Sequence, residues 1–149
     1  MPDVLDIDVV IPTLNAVETL ESVVGFLSSA QKAGVIRGII ICDGGSSDGT
    51  VEVAERWGAQ IEHTEPGRGH QLAVGATASH ASWLLFLHAD TWLSDGWEKD
   101  VADFLALEDS QDRAAVFAFA LDDQSFAASM LEWLVRWRCR MVALPYGDQ

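Results

Sequence analysis

The sequence predicts an α/β fold, a mostly parallel sheet with helices on both faces. Three observations carry this. Short apolar runs alternate with stretches of helical periodicity, and the alternation repeats four times. The run "WLLFL" (83–87) is apolar at every position, as a central strand covered by two layers should be.

The first strand is "IDVVI" (7–11). From Ala16 to Lys32, Val17, Leu20, Val23, Val24, Leu27 and Ala30 recur at helical spacing and predict an amphipathic helix. Residues 38–42, "GIIIC", predict a second strand. A short helix follows from Thr50 to Trp57, with Asp48 as N-cap and Gly58 just past its end. "AQIEH" (59–63) predicts a weaker third strand, and "TEPGRG" turns the chain into a helix from about Gly69 to His80. After the "WLLFL" strand come a helix from about Gly96 to Leu107, a strand "AVFAFAL" (115–121) and a long helix from Phe126 to about Val142. No internal repeat, low-complexity tract or linker interrupts this order, so a single domain is expected over 1–149.

The 149 residues can bury about 70% of the surface the unfolded chain exposes. Twenty-three acids against nine Lys and Arg give a formal charge of −14, a field that repels nucleic acid and anionic membrane. An anionic substrate therefore needs a local cation, either an arginine or a metal ion. Cys42 and Cys139 are too few for a disulfide framework, and Cys42, ending an apolar run, is expected to be a buried thiol. No signal peptide is recognisable at the N-terminus, and the most apolar stretch, 126–144, carries Glu132, Arg136, Arg138 and Arg140. A cytoplasmic protein is expected.

In open α/β sheets ligands bind beyond the carboxyl ends of the strands. The first strand runs into "PTLN" (12–15), the second into Asp43, the third toward Arg68 and the fourth into "HADT" (88–91), so these residues are expected at one sheet edge. Asn15 and Glu18 have capping-box spacing and serve either as helix caps or as ligand contacts. Asp43 directly follows a buried strand with no evident structural task. It accepts hydrogen bonds either from the glycine loop or from a ligand's hydroxyls or base edge, and the ligand is favoured because strand-end loops carry function. Asp90 leaves what the sequence presents as the most buried strand, where an unpaired charge is expensive. Mg²⁺ or Mn²⁺ would neutralise it, bound through one or two carboxylates and substrate phosphates. His88, two residues earlier in an extended chain, would face the same side as ligand or hydrogen-bond partner.

The loop "DGGSSDGT" (43–50) invites comparison with phosphate-binding glycine loops, but Thr50 stands where the lysine of such a loop belongs, and the dinucleotide glycine spacing fails. It is not expected to cradle phosphate; its carboxylates suit a ribose or base.

"VVIPTLNAVETL", "IICDGGSSDGT", "GRGHQLAVGA" and "LLFLHADT", in this order and spacing, resemble family 2 glycosyltransferases of the Rossmann-like GT-A fold. The resemblance is strongest to a small bacterial subgroup found near radical-SAM and selenium-associated genes, and "LPYGDQ" (144–149) extends it to the end of the sequence. It implies a nucleotide-diphosphate sugar donor, with Pro12, Thr13, Leu14, Asn15 and Asp43 holding the nucleoside and Arg68 near the donor. Asp90 would be the metal-binding member of the family's Asp-x-Asp element, with Mn²⁺ or Mg²⁺ as cofactor. Asp148 matches the general base that takes the acceptor's proton in an inverting transfer. Ala16 replaces an acid common after the asparagine, leaving Glu18 to serve, and His88 replaces the first Asp of Asp-x-Asp. Family members continue beyond the position of Gln149 to complete the acceptor side, so a C-terminally truncated domain is expected. An inactive nucleotide-sugar binding module or fragment is the main alternative. A nucleotidylyltransferase ranks lower, because "PTLNAVE" lacks the glycine and arginine such enzymes carry after the first strand. In the 126–142 helix, Trp133 and Trp137 beside the arginines suit either packing on the sheet or a peripheral contact with the inner membrane face, where the acceptor would be lipid-linked.

Overall fold

The computed structural model describes residues 5–118 and Met130. Its four strands are β1 (Ile7–Thr13), β2 (Gly38–Asp43), β3 (Gln60–His63) and β4 (Trp83–Phe86). All pair in parallel, in the order β3-β2-β1-β4. The helices are α1 (Val17–Lys32), α2 (Thr50–Arg56), α3 (Arg68–Ala78) and α4 (Trp97–Leu105).

Strand alternation sorts the core into two layers. Val9, Ile11, Ile39 and Ile41 face α1 and α2, meeting Leu20, Val23, Val24, Leu27, Val53 and Ala54. Val10, Ile40 and Cys42 face the opposite way and pack with Leu72 of α3. Helices thus cover both faces. On the second face the approach is close: a Cβ at Gly75 would overlap Val10 and come within 2.8 Å of the Cys42 sulfur. Burial pushes the Cys42 thiol up to about 11, with the charge of Glu62 adding to the effect, so it remains a neutral core group.

The register brings Thr13 opposite Asp43, and Asp43 opposite His63, at the carboxyl ends of three adjacent strands. β4 pairs with β1 only from Ile7↔Trp83 to Val10↔Phe86. Leu87 to Asp90 therefore leave the sheet beside the last residues of β1.

Two expectations change here. Leu84 and Leu85 do pack on opposite faces. Among the described residues, however, β4 stands at a sheet edge with Phe86 exposed, and β1 is the most deeply buried strand. An apolar run reports cover on two faces but not neighbours on two sides. Residues 115–118, the first part of the expected strand 115–121, are not in a strand. Residues 119–121, the 126–142 helix apart from Met130, and Asp148 lie outside the described residues.

At the amino ends of the strands, away from these loops, Asp8 is buried and needs partners for its charge. Arg37 (3.1 Å) and Ser79 (2.6 Å) supply them, while Asp6 accepts from Ser82 and pairs with Arg37. The chain divides into two compact units, residues 1–102 and 103–149. In the second, the described part holds the end of α4 and a short 3-10 helix, Ser110–Asp112, followed by an ion pair between Arg113 and Asp109.

Candidate functional site

The loop after β2 is organised by its own carboxylate. Asp43 is 1% exposed, and four donors converge on it. Thr13 Oγ1 (3.0 Å) and Ser46 Oγ (2.5 Å) donate to Oδ1, and the backbone N–H groups of Gly45 (3.0 Å) and Ser46 (2.8 Å) donate to Oδ2. Burial alone would raise its pKa, but the Ser46, Thr13 and Gly45 hydrogen bonds outweigh that and hold the carboxyl below its ordinary value. The chain's own anion thus occupies the backbone amides that an anion-binding loop would offer to phosphate. The loop is not a phosphate cradle, in agreement with its sequence. Asp43 thus takes up the loop amides, the role that its sequence left open beside the favoured ligand contact.

The same loop clamps the segment between β1 and α1. Asn15, with φ 51°, is left-handed. Its side-chain oxygen accepts from Ser47 N–H (2.9 Å), and its own N–H donates to Ser46 Oγ (2.8 Å). Asp48 Oδ2 accepts from Val17 N–H (3.1 Å), while Oδ1 accepts from the Thr50 hydroxyl (2.5 Å) and N–H (3.1 Å). Thr50 Oγ1 accepts from Ala16 N–H (2.9 Å). The Thr50 hydroxyl bond is the leading cause holding the Asp48 carboxyl below its ordinary range.

Both expected caps are therefore corrected. Ala16 and Gly49 occupy the N-cap positions, neither with a side-chain cap bond. Asp48 serves the first amides of two helices from outside both. Asn15 spans to the neighbouring loop because its left-handed backbone turns the side chain away from α1. Glu18 is exposed in the first turn of α1.

Beyond the carboxyl ends of β1 and β4 lies a cleft of about 460 Å³. Three segments contribute its lining: Pro12–Asn15 with Ala16 and Thr19 at the start of α1, then Gly67, Arg68 and Gln71, and then His88, Ala89 and Asp90. A recess of about 470 Å³ beside β3 is lined by Gln60 and Glu62 and by one side of α3 from His70 to Ala78. It holds none of the residues singled out in the sequence. Seven residues singled out in the sequence line the 460 Å³ cleft: Pro12, Thr13, Leu14, Asn15, Arg68, His88 and Asp90. Asp43 lies beneath it, joined through Thr13, and Glu18 is not among the lining residues.

His88 reaches the cleft by another route than expected. The chain there is a turn, with Thr91 N–H donating to the His88 carbonyl (3.2 Å), not an extended segment. His88 is half-buried and Asp90 exposed. Among the described residues no group of three or more His, Cys, Asp or Glu is arranged to hold a metal by itself. One carboxylate with an adjacent imidazole at a cleft mouth does fit a hard divalent cation that takes its remaining oxygens from substrate and water.

Gln71 escaped the sequence reading. It is 4% exposed and bridges α3 to the ends of β1 and β2. A glutamine inside a helical repeat carries no outward mark, and the glycines before it are the only local signal.

The family model described as glycosyl transferase family 2 matches residues 8–136. The chain belongs to glycosyl transferase family 2. Mycobacterium tuberculosis glucosyl-3-phosphoglycerate synthase, crystallised with UDP, is 30% identical with a TM-score of 0.51, over 58% of this chain and 34% of that one. The same enzyme with Mn²⁺, UDP and glucosyl-3-phosphoglycerate gives 30% identity and a TM-score of 0.50, over 56% and 33%. S. aureus TarS residues 1–349, at 20% identity and a TM-score of 0.59, covers 66% of this chain and 32% of its own, and shows the fold alone. The chain thus spans about a third of the length of these structures. No curated protein matches it. Among the described residues, no helix of this family 2 chain is long and apolar enough to cross a membrane.

Proposed function

We propose that this chain is the donor-binding part of a cytoplasmic, metal-dependent, inverting glycosyltransferase that moves a sugar from a nucleotide-diphosphate sugar to an acceptor hydroxyl. The observation that carries the reading is the single cleft into which Pro12–Asn15, Arg68, His88 and Asp90 converge. In this reading Pro12 to Asn15 hold the nucleoside, and Asp43 contributes through Thr13 or by exchanging one of its loop donors for the base. Arg68 lies toward the diphosphate and supplies a positive charge in the cleft of a chain whose net charge is −14. Asp90, with His88 beside it, would hold Mn²⁺ or Mg²⁺, whose chemistry is to stabilise charge on the departing diphosphate. Glu18, exposed and outside the lining, has the weakest claim and is proposed only as a contact at the mouth.

Asp148 is proposed as general base. It takes the proton from the acceptor hydroxyl as that oxygen bonds to the anomeric carbon, while the bond from that carbon to the diphosphate oxygen breaks and the nucleoside diphosphate leaves with the electron pair. Such assistance is typically worth about 10²- to 10⁴-fold. Asp148→Asn, made in a chain that carries the acceptor side, is expected to leave donor affinity unchanged and to lower transfer by that factor. Unchanged turnover would remove Asp148 from the role. A lipid-linked hydroxyl is the acceptor class favoured by Trp133, Trp137 and the arginines around them.

Two bound complexes of the 30% identical synthase contain UDP, one of them with Mn²⁺. These support UDP as the first ligand to try. Calorimetric titration of the chain with UDP, GDP and their sugar conjugates, with and without Mn²⁺, tests the reading. Saturable binding of one nucleotide, tightened by the metal, is expected. Absence of binding to all of them would refute it.

A further inference from the structure

We propose that Gln71 is a positioning residue of the donor cleft, holding the ends of β1 and β2 and the Gly67–Arg68 turn in one fixed relation. This rests on the donor-binding reading above. Both hydrogens of its Nε2 are used: one goes to the Thr13 carbonyl (2.8 Å), the other to the Cys42 carbonyl (2.7 Å). Its Oε1 accepts from Gly67 N–H (3.3 Å). One carboxamide thus ties together two adjacent strand ends and the residue preceding Arg68.

No other side chain does this at the same length. A glutamate would turn an oxygen toward two carbonyl oxygens, and a methionine would leave two buried carbonyls and the part-buried Gly67 N–H without this partner. The arrangement also accounts for the first glycine of the loop after β2. A Cβ at Gly44 would stand 3.2 Å from Gln71 Nε2 and 3.1 Å from Pro66 Cα, while Gly44 N–H donates to the same Thr13 carbonyl (2.9 Å). Gly44 is the space Gln71 occupies. Thr13 and Arg68 line the cleft from segments far apart in sequence, and Gln71 is the buried link between Thr13 and the residue preceding Arg68.

The test compares the parent chain with Gln71→Met, reading UDP affinity in Mn²⁺ and amide hydrogen exchange. Should Gln71→Met fail to fold, Gln71→Asn, too short to span all three partners, carries the same measurements. The expected result is about a tenfold loss of UDP affinity. The Gly67 and Gly44 amides should exchange at least about tenfold faster, while those of Val9 and Ile40 inside the sheet keep their protection. Arg68→Ala should cost clearly less in the Gln71→Met background than in the parent, because the two residues act through one turn. Unchanged affinity, strictly additive losses, or faster exchange spread evenly through the sheet would each overturn the positioning role, the last by making Gln71 a general stability element. A parent chain that binds no nucleotide would instead sink the donor-binding reading, and the positioning role with it. The exchange data would still show whether the clamp exists.

Discussion

Asp90→Ala is expected to reduce UDP affinity in Mn²⁺ to the value measured in a chelator, a loss on the order of tenfold or more, or about 1.4 kcal/mol per decade. The reasoning begins with charge. A diphosphate entering a chain of net charge −14 meets repulsion unless cations stand in the cleft. Arg68 supplies one, and a divalent ion held at Asp90 would supply the other. With no group of three or more candidate ligands among the described residues, a cation there has few protein ligands to lose, and Asp90 is the carboxylate of the lining. Removing it should therefore abolish the metal effect rather than weaken it. His88→Ala should cost less, since an imidazole can be replaced by water in the coordination of a hard ion. The decisive comparison is titration of the parent and Asp90→Ala with and without Mn²⁺. If the metal tightens UDP equally in both, the ion is held elsewhere and Asp90 loses its assignment.

The fold was legible because its signals are periodic. Leu20, Val23, Val24 and Leu27 recur at 3.6-residue spacing and all lie against one face of the sheet, as that period requires. Val9 and Val10, neighbours in sequence, enter different layers, as the period of two requires. The position of β4 was less legible. Sheet order depends on which strands pair, and local hydrophobicity carries no information about pairing.

The cleft was legible where it draws on chemically unusual residues at strand ends, Asp90 and Arg68 among them. It was illegible where function is delegated to geometry between segments distant in sequence. Asn15 reads locally as a cap, yet it bonds Ser47, 32 residues away. Asp48 reads as the cap of α2, yet its second oxygen serves α1. Gln71 joins Thr13, 58 residues away, and Cys42, 29 residues away. Each of these requires the fold to be known first.

Asp43 separates the two demands on the site most sharply, because one carboxylate serves both the loop and, in the reading proposed here, the nucleoside. In Asp43→Ala the buried Thr13 hydroxyl and the part-buried Ser46 hydroxyl and Gly45 and Ser46 N–H groups lose their common acceptor. Unsatisfied buried donors are costly, and a loss of about 3–5 kcal/mol is expected, large against the stability of a small domain. Asp43→Asn should fare better. Its amide oxygen can still take the Gly45 and Ser46 N–H groups, and its NH₂ can donate to the two hydroxyls, which rotate to accept. Its cost should be nearer 1–2 kcal/mol, on the scale of charge-assisted bonds becoming neutral ones.

The sign of the pH dependence follows from the depressed carboxyl. A folded-state pKa below the ordinary 3.8 means stability that is fully present above that value and is lost as pH falls through the folded pKa. The parent should therefore lose this contribution in acid below about pH 4, and Asp43→Asn, with nothing to protonate there, should show a flatter acid limb. Denaturant unfolding of both chains between pH 7 and pH 3 measures this directly. Parallel acid limbs would mean that the four bonds do not favour the charged form. UDP titration of Asp43→Asn at pH 7 then isolates the second demand. Because the variant preserves the loop, affinity lost beyond the change expected from stability assigns the carboxylate to the nucleoside, and retained affinity confines it to holding Thr13 and the loop in place.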